Sequence, residues 1–245
     1  MKNGLYITGI RLDGEIPKEN YIAAIPVVKH LKELEINKSV IFLVGENGTG
    51  KSTFLEAVAV NYGFNPEGGS RNFTFSTRAT HSDLYKYITV CKGISRPKDG
   101  FFLRAESLYN VATNIDKLDS EPSFDSKIIE GYGGRSLHDQ SHGESFSAII
   151  HNRFFGNGLY ILDEPEAALS PIRQLSLLSK MNELVKEKSQ FIIATHSPII
   201  MAYPDADIYV LSEEGITITP YRETEHYRIT KEFLDSPERM FRYLF

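Results

Sequence analysis

The feature that most constrains this chain is a glycine-rich loop between a strand pattern and a helix pattern. Gly45-Glu46-Asn47-Gly48-Thr49-Gly50-Lys51-Ser52 fits G-x-x-x-x-G-K-[ST], follows the apolar run 40–44 and precedes a helical pattern over 51–62. Glycines let a backbone wrap around phosphate oxygens, and the start of a helix favours anions. We therefore predict a phosphate-binding loop that extends to Thr53. In it, Lys51 reaches the β- and γ-phosphates and Ser52 places its hydroxyl on Mg²⁺.

Strand-like and helix-like patterns alternate along the rest of the chain, which indicates an α/β fold. The apolar runs 159–162 and 190–195 are typical of buried parallel strands, and 171–188 has helical spacing. Residues 207–211 and 216–219 indicate an antiparallel pair. The end of the chain carries two short helical patterns that break at Pro237, and its many apolar side chains predict that it docks on the body of the protein.

Two acids, Asp163 and Glu164, follow the apolar run 159–162. At the end of a parallel strand beside the phosphate-binding loop, Asp163 is expected to lie near the Mg²⁺ held by Ser52. Glu164 is then placed to orient or deprotonate the attacking water. The alternative is an ordinary helix N-cap after a buried strand. The presence of the loop favours the catalytic interpretation.

His196 directly follows the apolar run 190–195. A histidine at the carboxyl end of a strand can hydrogen-bond a γ-phosphate or the attacking water, whereas the alternative is a helix-capping residue. Its position in the strand after that of Asp163 favours the catalytic role. The predicted catalytic residues are therefore Lys51, Glu164 and His196.

A second candidate anion site precedes the helical pattern at 146–155. Ser141, Gly143 and the backbone amides that follow can form another helix start that binds an anion. A metal site is the alternative, because His138 and His142 are four residues apart and would share a face of a helix. The sequence offers no evident third ligand, and Gly143 interrupts the helical pattern.

In their order along the chain, these motifs resemble those of the ABC-type ATPases. Ser141-His142-Gly143-Glu144 resembles a divergent L-S-G-G-Q signature, Ala168-Leu169-Ser170-Pro171 resembles the D-loop, and His196 resembles the switch histidine. The resemblance spans residues 40–200. The chain is also similar to small stand-alone predicted AAA/ABC-like ATPases of bacteria, related to SMC-type and overcoming-lysogenization-type ATPases. That similarity rests on G-F-F-L-R-A-E-S at 100–107 and F-L-x-x-P at 233–237.

The sequence departs from the family pattern at three places. The family carries a Gln, in contact with Mg²⁺ and water, at the end of the strand that enters its helical lobe. No Gln lies near 101–107, and Glu106 is the candidate for that metal-contacting place. His142 stands where the signature usually has Gly. The aromatic residue that stacks on adenine in transporter cassettes has no clear match, and Tyr6 and Tyr21 are the candidates.

The resemblance implies a P-loop NTPase fold with a mixed sheet, in which residues 1–245 form a single ABC-type ATPase domain. A RecA-like core lobe would comprise 1–104 and 158–245, and a small helical lobe, 105–157, would carry the signature. The implied activity is Mg²⁺-dependent hydrolysis of ATP to ADP and phosphate. Two subunits would sandwich two ATP molecules, with each signature acting on the nucleotide of the other subunit, so that ATP binding forms a homodimer.

Composition narrows the environment in which we expect the chain to work. Lys and Arg number 27 against 32 Asp and Glu, a net charge of −5, which excludes a strongly basic coat. No apolar run is long enough for a membrane span or a signal peptide, and Cys91 has no partner for an intrachain disulfide. We therefore expect a cytoplasmic protein without membrane insertion. The short length also predicts a separate effector or substrate protein.

Three functions remain open on the sequence. The resemblance of the motifs to those of SMC-type ATPases favours an ATPase switch in DNA repair or phage defence. The alternatives are the ATP-binding subunit of a membrane transporter and an ATP-bound scaffold timed by slow hydrolysis. Nucleic acid binding has two candidate patches, a small basic cluster of Lys92, Arg96 and Lys98 and the pair Arg71 and Arg78 in the preceding loop region. For each of them a solvated surface is the alternative.

Overall fold

The computed structural model describes residues 4–71, 82–106, 108–120 and 126–245, so that Arg78 and Ser107 lie outside the described residues. The strands are β1 Ile7–Leu12, β2 Glu33–Glu35, β3 Val40–Val44, β4 Gly69–Ser70, β5 Ile88–Lys92, β6 Asp99–Arg104, β7 Gly158–Asp163, β8 Gln190–Ala194, β9 Asp207–Ser212 and β10 Gly215–Ile218. The α-helices are α1 Pro26–His30, α2 Lys51–Tyr62, α3 Leu108–Ser120, α4 His142–Arg153, α5 Pro171–Lys186, α6 Pro198–Met201, α7 Glu225–Asp235 and α8 Pro237–Leu244.

The main sheet is mixed, as predicted. Its strand order is β10-β9-β3-β8-β7-β6-β4, and the five inner strands run parallel while β10 and β4 pair antiparallel at the edges. A smaller antiparallel sheet has the order β2-β1-β5. Every residue of β3, β7 and β8 is buried. Because both faces of these strands are covered, their sequences do not alternate and are apolar except at Asp163 and Gln190, which lie at strand ends.

Two apolar cores lie on the opposite faces of the main sheet. Ile41 and Leu43 belong to the core that contains α2 and the smaller sheet. Val40, Phe42 and Val44 belong to the other core, to which α3, α4 and α5 contribute. This division follows from the alternation of side chains along a strand. It places α2, which starts at the phosphate-binding loop, on one face of the sheet and the signature helix α4 on the other.

The carboxyl ends of the parallel strands meet at one edge of the sheet. Arg104 is in register with Asp163, Asp163 with Ala194, and Ala194 with Leu43. The strand of Asp163 is not the direct neighbour of the loop strand, because β8 lies between β7 and β3. Ser52 nevertheless reaches Asp163, since it sits in the first turn of α2, above the edge of the sheet.

The C-terminal segment differs from its prediction. It forms two helices that break at Pro237, as expected, but no residue of α7 or α8 is buried. The rings of Phe233 and Phe241 pack against each other with centroids 5.9 Å apart. The prediction that this segment docks on the body of the protein is therefore wrong for the single chain. The apolar side chains that remain exposed there are Ile229, Phe233, Leu234, Phe241, Tyr243, Leu244 and Phe245.

Within the described ranges, no helix has the length and hydropathy that a membrane crossing requires.

Candidate nucleotide site

The phosphate-binding loop connects β3 to α2 and needs glycine at two positions for steric reasons. Gly50 has φ +92° at the N-cap of α2, and a Cβ there would lie 2.2 Å from Cγ2 of Ile25. A Cβ on Gly45 would lie 2.2 Å from the carbonyl oxygen of Leu211. Any side chain at either position would displace a neighbouring residue. The close approach of the loop to its surroundings therefore explains the glycines that the sequence motif contains.

Lys51 is folded back onto its own loop. Its ammonium donates to the carbonyl oxygens of Gly45 and Glu46, at 2.7 and 3.0 Å. The residue is only 4% exposed. Burial lowers the pKa of this ammonium, and the nearby carboxylates of Glu164 and Asp163 oppose the shift. A buried cation surrounded by a curved backbone is suited to bind the oxygens of a phosphate.

Two cavities flank the loop. One, of about 350 Å³, is lined by Ser52, Thr53 and Glu164, by Tyr21 and by most of the loop between 47 and 51. The other, of about 300 Å³, is lined by most of the loop between 45 and 49, by the end of β9 and by the residues that begin α7, namely Thr224, Glu225 and His226. The loop is therefore open to a ligand on two sides, and the start of α7 contributes to one of them.

The side chains of Ser52 and Asp163 meet at the carboxyl edge of the sheet. The Ser52 hydroxyl donates to Asp163 Oδ1 at 2.9 Å. Asp163 is 5% exposed, and its burial raises the pKa of the carboxyl to about 6 despite the opposing effects of Arg104 and Ser52. Mg²⁺ prefers oxygen ligands, and a buried carboxylate gains much from a divalent cation. These two residues therefore fit the Mg²⁺ that the sequence analysis expects.

Arg104, which the sequence analysis did not select, lies against the same carboxylate. Its Nη1 donates to Glu56 Oε2 at 2.7 Å, and its Nε lies 3.4 Å from Asp163 Oδ2 without making a hydrogen bond. Glu106, the candidate metal contact, is 88% exposed in its side chain and lies 3.7 Å from Arg104 Nη2. The structure thus brings Arg104, and not Glu106, against Asp163. The sequence signal that could have identified Arg104 is a charged residue at the end of a buried strand.

Replacement of Arg104 by Met is expected to lower the free energy of unfolding by about 3 kcal/mol, because two largely buried carboxylates lose their counter-charge. Urea denaturation followed by circular dichroism measures this. Arg96→Met is the control, since Arg96 is exposed. Adding Glu56→Gln to Arg104→Met should recover part of the loss. A loss no larger than that of the control would show that the contacts of Arg104 contribute little to stability.

Glu164 has an unusual backbone conformation, with φ 48° and ψ 55°. A residue other than Gly in this left-handed region carries strain, which is common at active sites. Its amide donates to the Ala194 carbonyl at 2.9 Å, which ties the end of β7 to the end of β8. His196 Nε2 lies 3.7 Å from Glu164 Oε1. The two predicted catalytic side chains are therefore brought together.

Glu166 holds the segment that carries His196. It accepts a hydrogen bond from Thr195 Oγ1 at 2.8 Å and another from the backbone amide of His196. Burial raises the pKa of this carboxyl, and the same hydrogen bonds oppose the shift. Sequence reasoning missed Glu166, because only the tertiary contact between the ends of β7 and β8 gives it a role.

The signature residues form the start of α4. Ser141 is the N-cap and makes a capping box with Glu144: its amide and hydroxyl donate to Glu144 Oε2, at 2.9 and 2.7 Å, and its hydroxyl accepts from the Glu144 amide at 3.4 Å. Ser141, His142 and Glu144 are exposed. A Cβ on Gly143 would lie 2.7 Å from the carbonyl oxygen of Ala168. Signature and D-loop are therefore neighbours within one chain.

The D-loop residues Ala168-Leu169-Ser170-Pro171 lead into α5, where Pro171 is the first helical residue. Leu169 is buried, and its carbonyl accepts a hydrogen bond from Gln174.

The alternative metal site at His138 and His142 is not supported. His138 lies in a 3₁₀ turn, Leu137–Asp139, whereas His142 begins α4, so that they do not share the face of one helix. His138 Nε2 lies 3.1 Å from Thr113 Oγ1.

The two candidates for an adenine-stacking residue are placed very differently. Tyr6 is 3% exposed, and its hydroxyl donates to the Lys188 carbonyl at 2.9 Å, so that its ring belongs to the core. Tyr21 is 65% exposed and lines the cavity beside the loop. The structure therefore leaves Tyr21 as the ring available to a base.

Arg71 and Lys92, one residue from each candidate basic patch, lie over the same aromatic ring. Lys92 Nζ and Arg71 Cζ lie 4.9 and 5.8 Å from the centroid of the Tyr62 ring. Arg71 and Lys98 also line a polar cavity of about 430 Å³. The residues that line this cavity include none from the phosphate-binding loop.

Comparison with known proteins gives distant but extensive matches, although no family model matches the chain. The xylose/arabinose import ATP-binding protein XylG of Sulfolobus acidocaldarius is 25% identical over 83% of this chain and 86% of its own length. The hemin import ATP-binding protein HmuV of Rhodopseudomonas palustris is 25% identical over 71% of both chains. An uncharacterized ABC transporter ATP-binding protein of Haemophilus influenzae is 24% identical over 77% of this chain and 75% of its own.

Solved structures agree on the fold. CbiO1 from Clostridium perfringens, part of the ABC transporter complex cbiONQ, aligns with a TM-score of 0.52 and 18% identity over 98% of this chain and 99% of its own. MJ1267, an ATP-binding cassette of an ABC transporter, aligns with a TM-score of 0.54 and 16% identity over the same shares. The predicted α/β P-loop NTPase fold with a mixed sheet is thereby confirmed.

Proposed function

We propose that this chain, an ATP-binding cassette of the ABC family that hydrolyses ATP with Mg²⁺, works as the ATP-hydrolysing subunit of a membrane transporter. The observation that carries the proposal is that all three relatives are named as ATP-binding proteins of importers or ABC transporters. None of them is described as a protein of DNA repair or phage defence, or as an SMC-type or overcoming-lysogenization-type ATPase. The transporter alternative therefore fits these relatives better than the role that the motif wording favoured.

The dimer is the second part of the proposal. The loop before α2 covers one side of a bound triphosphate, and the start of α4 leaves Ser141 and His142 exposed. A helix start of this kind offers amide donors to an anion. In a homodimer, the α4 start of one protomer would cover the open side of the nucleotide on the other. Binding of ATP then drives the association of two chains, and hydrolysis of the ATP lets the dimer separate.

The reaction follows from the side chains at the carboxyl edge of the sheet. Lys51 and the loop amides hold the β- and γ-phosphates, while Ser52 and Asp163 would hold Mg²⁺, which neutralises phosphate charge when bound. Glu164 orients the attacking water and accepts its proton. His196 presents its Nε2, which is buried and has no hydrogen-bond partner in the described part of the chain, towards the same site. A hydrogen bond from this atom to the γ-phosphate satisfies it.

Replacement of Tyr21 by Ala is expected to raise the KM for ATP about tenfold and to leave kcat within about twofold. Removal of an aromatic side chain that stacks on a base weakens binding by about 1–3 kcal/mol. Steady-state hydrolysis kinetics measure both constants. Tyr21→Trp should keep the wild-type KM, since it preserves the ring. Tyr109→Ala is a matched control, because Tyr109 is exposed on α3 and contacts His138. An unchanged KM in Tyr21→Ala would show that Tyr21 does not contact the base.

A nucleic-acid role stays as the second candidate function, on one observation. Arg71 and Lys92 converge on the ring of Tyr62, and Lys98 lines the adjoining cavity. Such a cluster can hold a phosphate backbone by charge. The two functions separate in one experiment: the ATPase rate is measured at a fixed salt concentration with duplex DNA and with membranes from the source cells. A rate that membranes raise and DNA leaves unchanged supports the transporter subunit. Stimulation by DNA alone, lost in Arg71→Ala/Lys92→Ala, would replace it with the nucleic-acid role.

A further inference from the structure

His226, the second residue of α7, lies against the predicted catalytic histidine. Its Nε2 is 3.1 Å from Nδ1 of His196, and the two ring centroids are 5.2 Å apart. His226 also lines the cavity that contains Gly45 and Glu46. A residue 30 positions further along the chain is thus in hydrogen-bond contact with His196 at the nucleotide site.

The position of His226 is fixed by the cap at the start of α7 and by contacts between Tyr227, Tyr221 and the segment after His196. Thr224 caps α7 by accepting from the Tyr227 amide, and the Tyr227 ring packs on Tyr221 with centroids 4.7 Å apart. The Tyr221 hydroxyl donates to the Pro198 carbonyl at 2.9 Å, two residues after His196. The start of α7 is therefore attached to the segment that carries His196, so that the two imidazoles are held together by the surrounding fold.

The hydrogen bond between the two rings links the tautomer of His196 to that of His226, because one of the two facing nitrogens must donate and the other accept. Burial lowers the pKa of both imidazoles, and the Lys51 ammonium lowers that of His196 further, so that the neutral rings dominate near pH 7. A neutral imidazole has one N–H and one acceptor nitrogen. If His226 Nε2–H donates to His196 Nδ1, the proton of His196 is on Nε2. This buried atom has no hydrogen-bond partner among the described residues and lies 3.7 Å from Glu164 Oε1.

We propose that His226 is a positioning residue for ATP hydrolysis: its Nε2–H holds His196 in the tautomer whose Nε2–H points at the γ-phosphate. The inference deepens the proposed function and rests on it in one respect, the contact of His196 with nucleotide. It also makes the catalytic geometry depend on α7. A displacement of that helix breaks the contact between the rings and releases His196.

The test compares His226→Leu, His226→Gln and the control Lys231→Leu, which changes an exposed residue of the same helix and leaves the imidazole pair intact. His226→Leu lacks a donor and is expected to lower kcat about tenfold. KM for ATP should stay within about twofold, because Lys51 and the loop amides still hold the phosphates when the hydrogen bond from His196 to the γ-phosphate is lost. His226→Gln places an amide N–H close to the position of Nε2 and should restore most of kcat. Lys231→Leu should match wild type.

Nitrogen-15 NMR of histidine-labelled, nucleotide-free protein provides a readout that does not depend on activity. The His196 ring should be the Nε2–H tautomer in wild type and in His226→Gln, and a mixture of both tautomers in His226→Leu. An unchanged tautomer and kcat in His226→Leu would overturn the proposal, as would an equal loss of kcat in His226→Leu and His226→Gln. If His226→Leu does not fold, His226→Asn takes its place, because its shorter amide does not reach His196. A wild-type protein without ATPase activity would contradict the proposed function, while the tautomer comparison would still decide the role of His226.

Discussion

Lys51→Ala is expected to weaken ATP binding by about 100-fold or more, because loss of the charge-assisted hydrogen bonds to phosphate costs about 3 kcal/mol. Lys51 is the buried ammonium around which the loop closes. Its removal also leaves the Gly45 and Glu46 carbonyls without that donor. The fold should persist, since neither carbonyl belongs to the apolar cores. Isothermal titration calorimetry with ATP measures the affinity, and circular dichroism tests the fold.

The matched control for this prediction is Lys117→Ala, which removes an exposed lysine from α3. It should bind ATP as wild type does. Unchanged ATP affinity in Lys51→Ala would contradict the assignment of residues 45–52 as the phosphate-binding loop. A Lys51→Ala protein that has lost its circular dichroism signal would instead show that the ammonium is needed to fold the loop.

Glu164→Gln is expected to lower kcat about 1,000-fold while ATP binding persists, because the amide keeps the shape of the side chain and cannot accept the proton of water. The slow variant should then accumulate as an ATP-bound dimer. Light scattering with saturating Mg-ATP should show the mass rise from the 27.7 kDa of the single chain to twice that value. Without nucleotide the same variant should be monomeric.

Two controls make the result specific. Glu183→Gln changes an exposed carboxylate on α5 and should keep the wild-type kcat. Lys51→Ala/Glu164→Gln should stay monomeric with ATP, since dimerisation requires bound nucleotide. A monomer of Glu164→Gln at micromolar protein and saturating ATP would count strongly against the dimer. Rapid hydrolysis by this variant would remove Glu164 from the catalytic role.

How much of the site the sequence could predict depends on how local each signal is. Ser52 and Asp163 were predicted to share a metal, and they lie 2.9 Å apart although they are far apart in the sequence. The two side chains meet because parallel strands bring their carboxyl ends to one edge of a sheet, and the shared metal itself stays a prediction. Glu106 shows the limit of such reasoning. We selected Glu106 because it follows a strand. The sequence pattern does not specify where side chains point, and in the structure it is Arg104 that contacts Asp163.

The C-terminal segment shows a second limit. Its apolar residues predicted docking on the body of the protein, yet no residue of α7 or α8 is buried. The start of α7 contacts the body through His226 and Tyr227, and further along the two helices pack on each other. Hydrophobic periodicity identifies an apolar face but does not identify what covers it. The same segment supplies His226 to the nucleotide site, and no motif marks that residue.

Local sequence patterns were enough to predict the α/β class, the phosphate-binding loop, the two acids after β7 and the histidine after β8. These features are set by local backbone requirements: glycines where a loop curves, apolar runs where a strand is covered on both faces, and polar residues where it ends. The tertiary structure alone decided that β8 lies between β3 and β7 and that Arg104 and Glu166 hold the site. It also placed Tyr21 at the loop while Tyr6 lies in the core, and His226 against His196. The physical reason is that these contacts join side chains from distant segments, and their geometry depends on the packing of the whole chain.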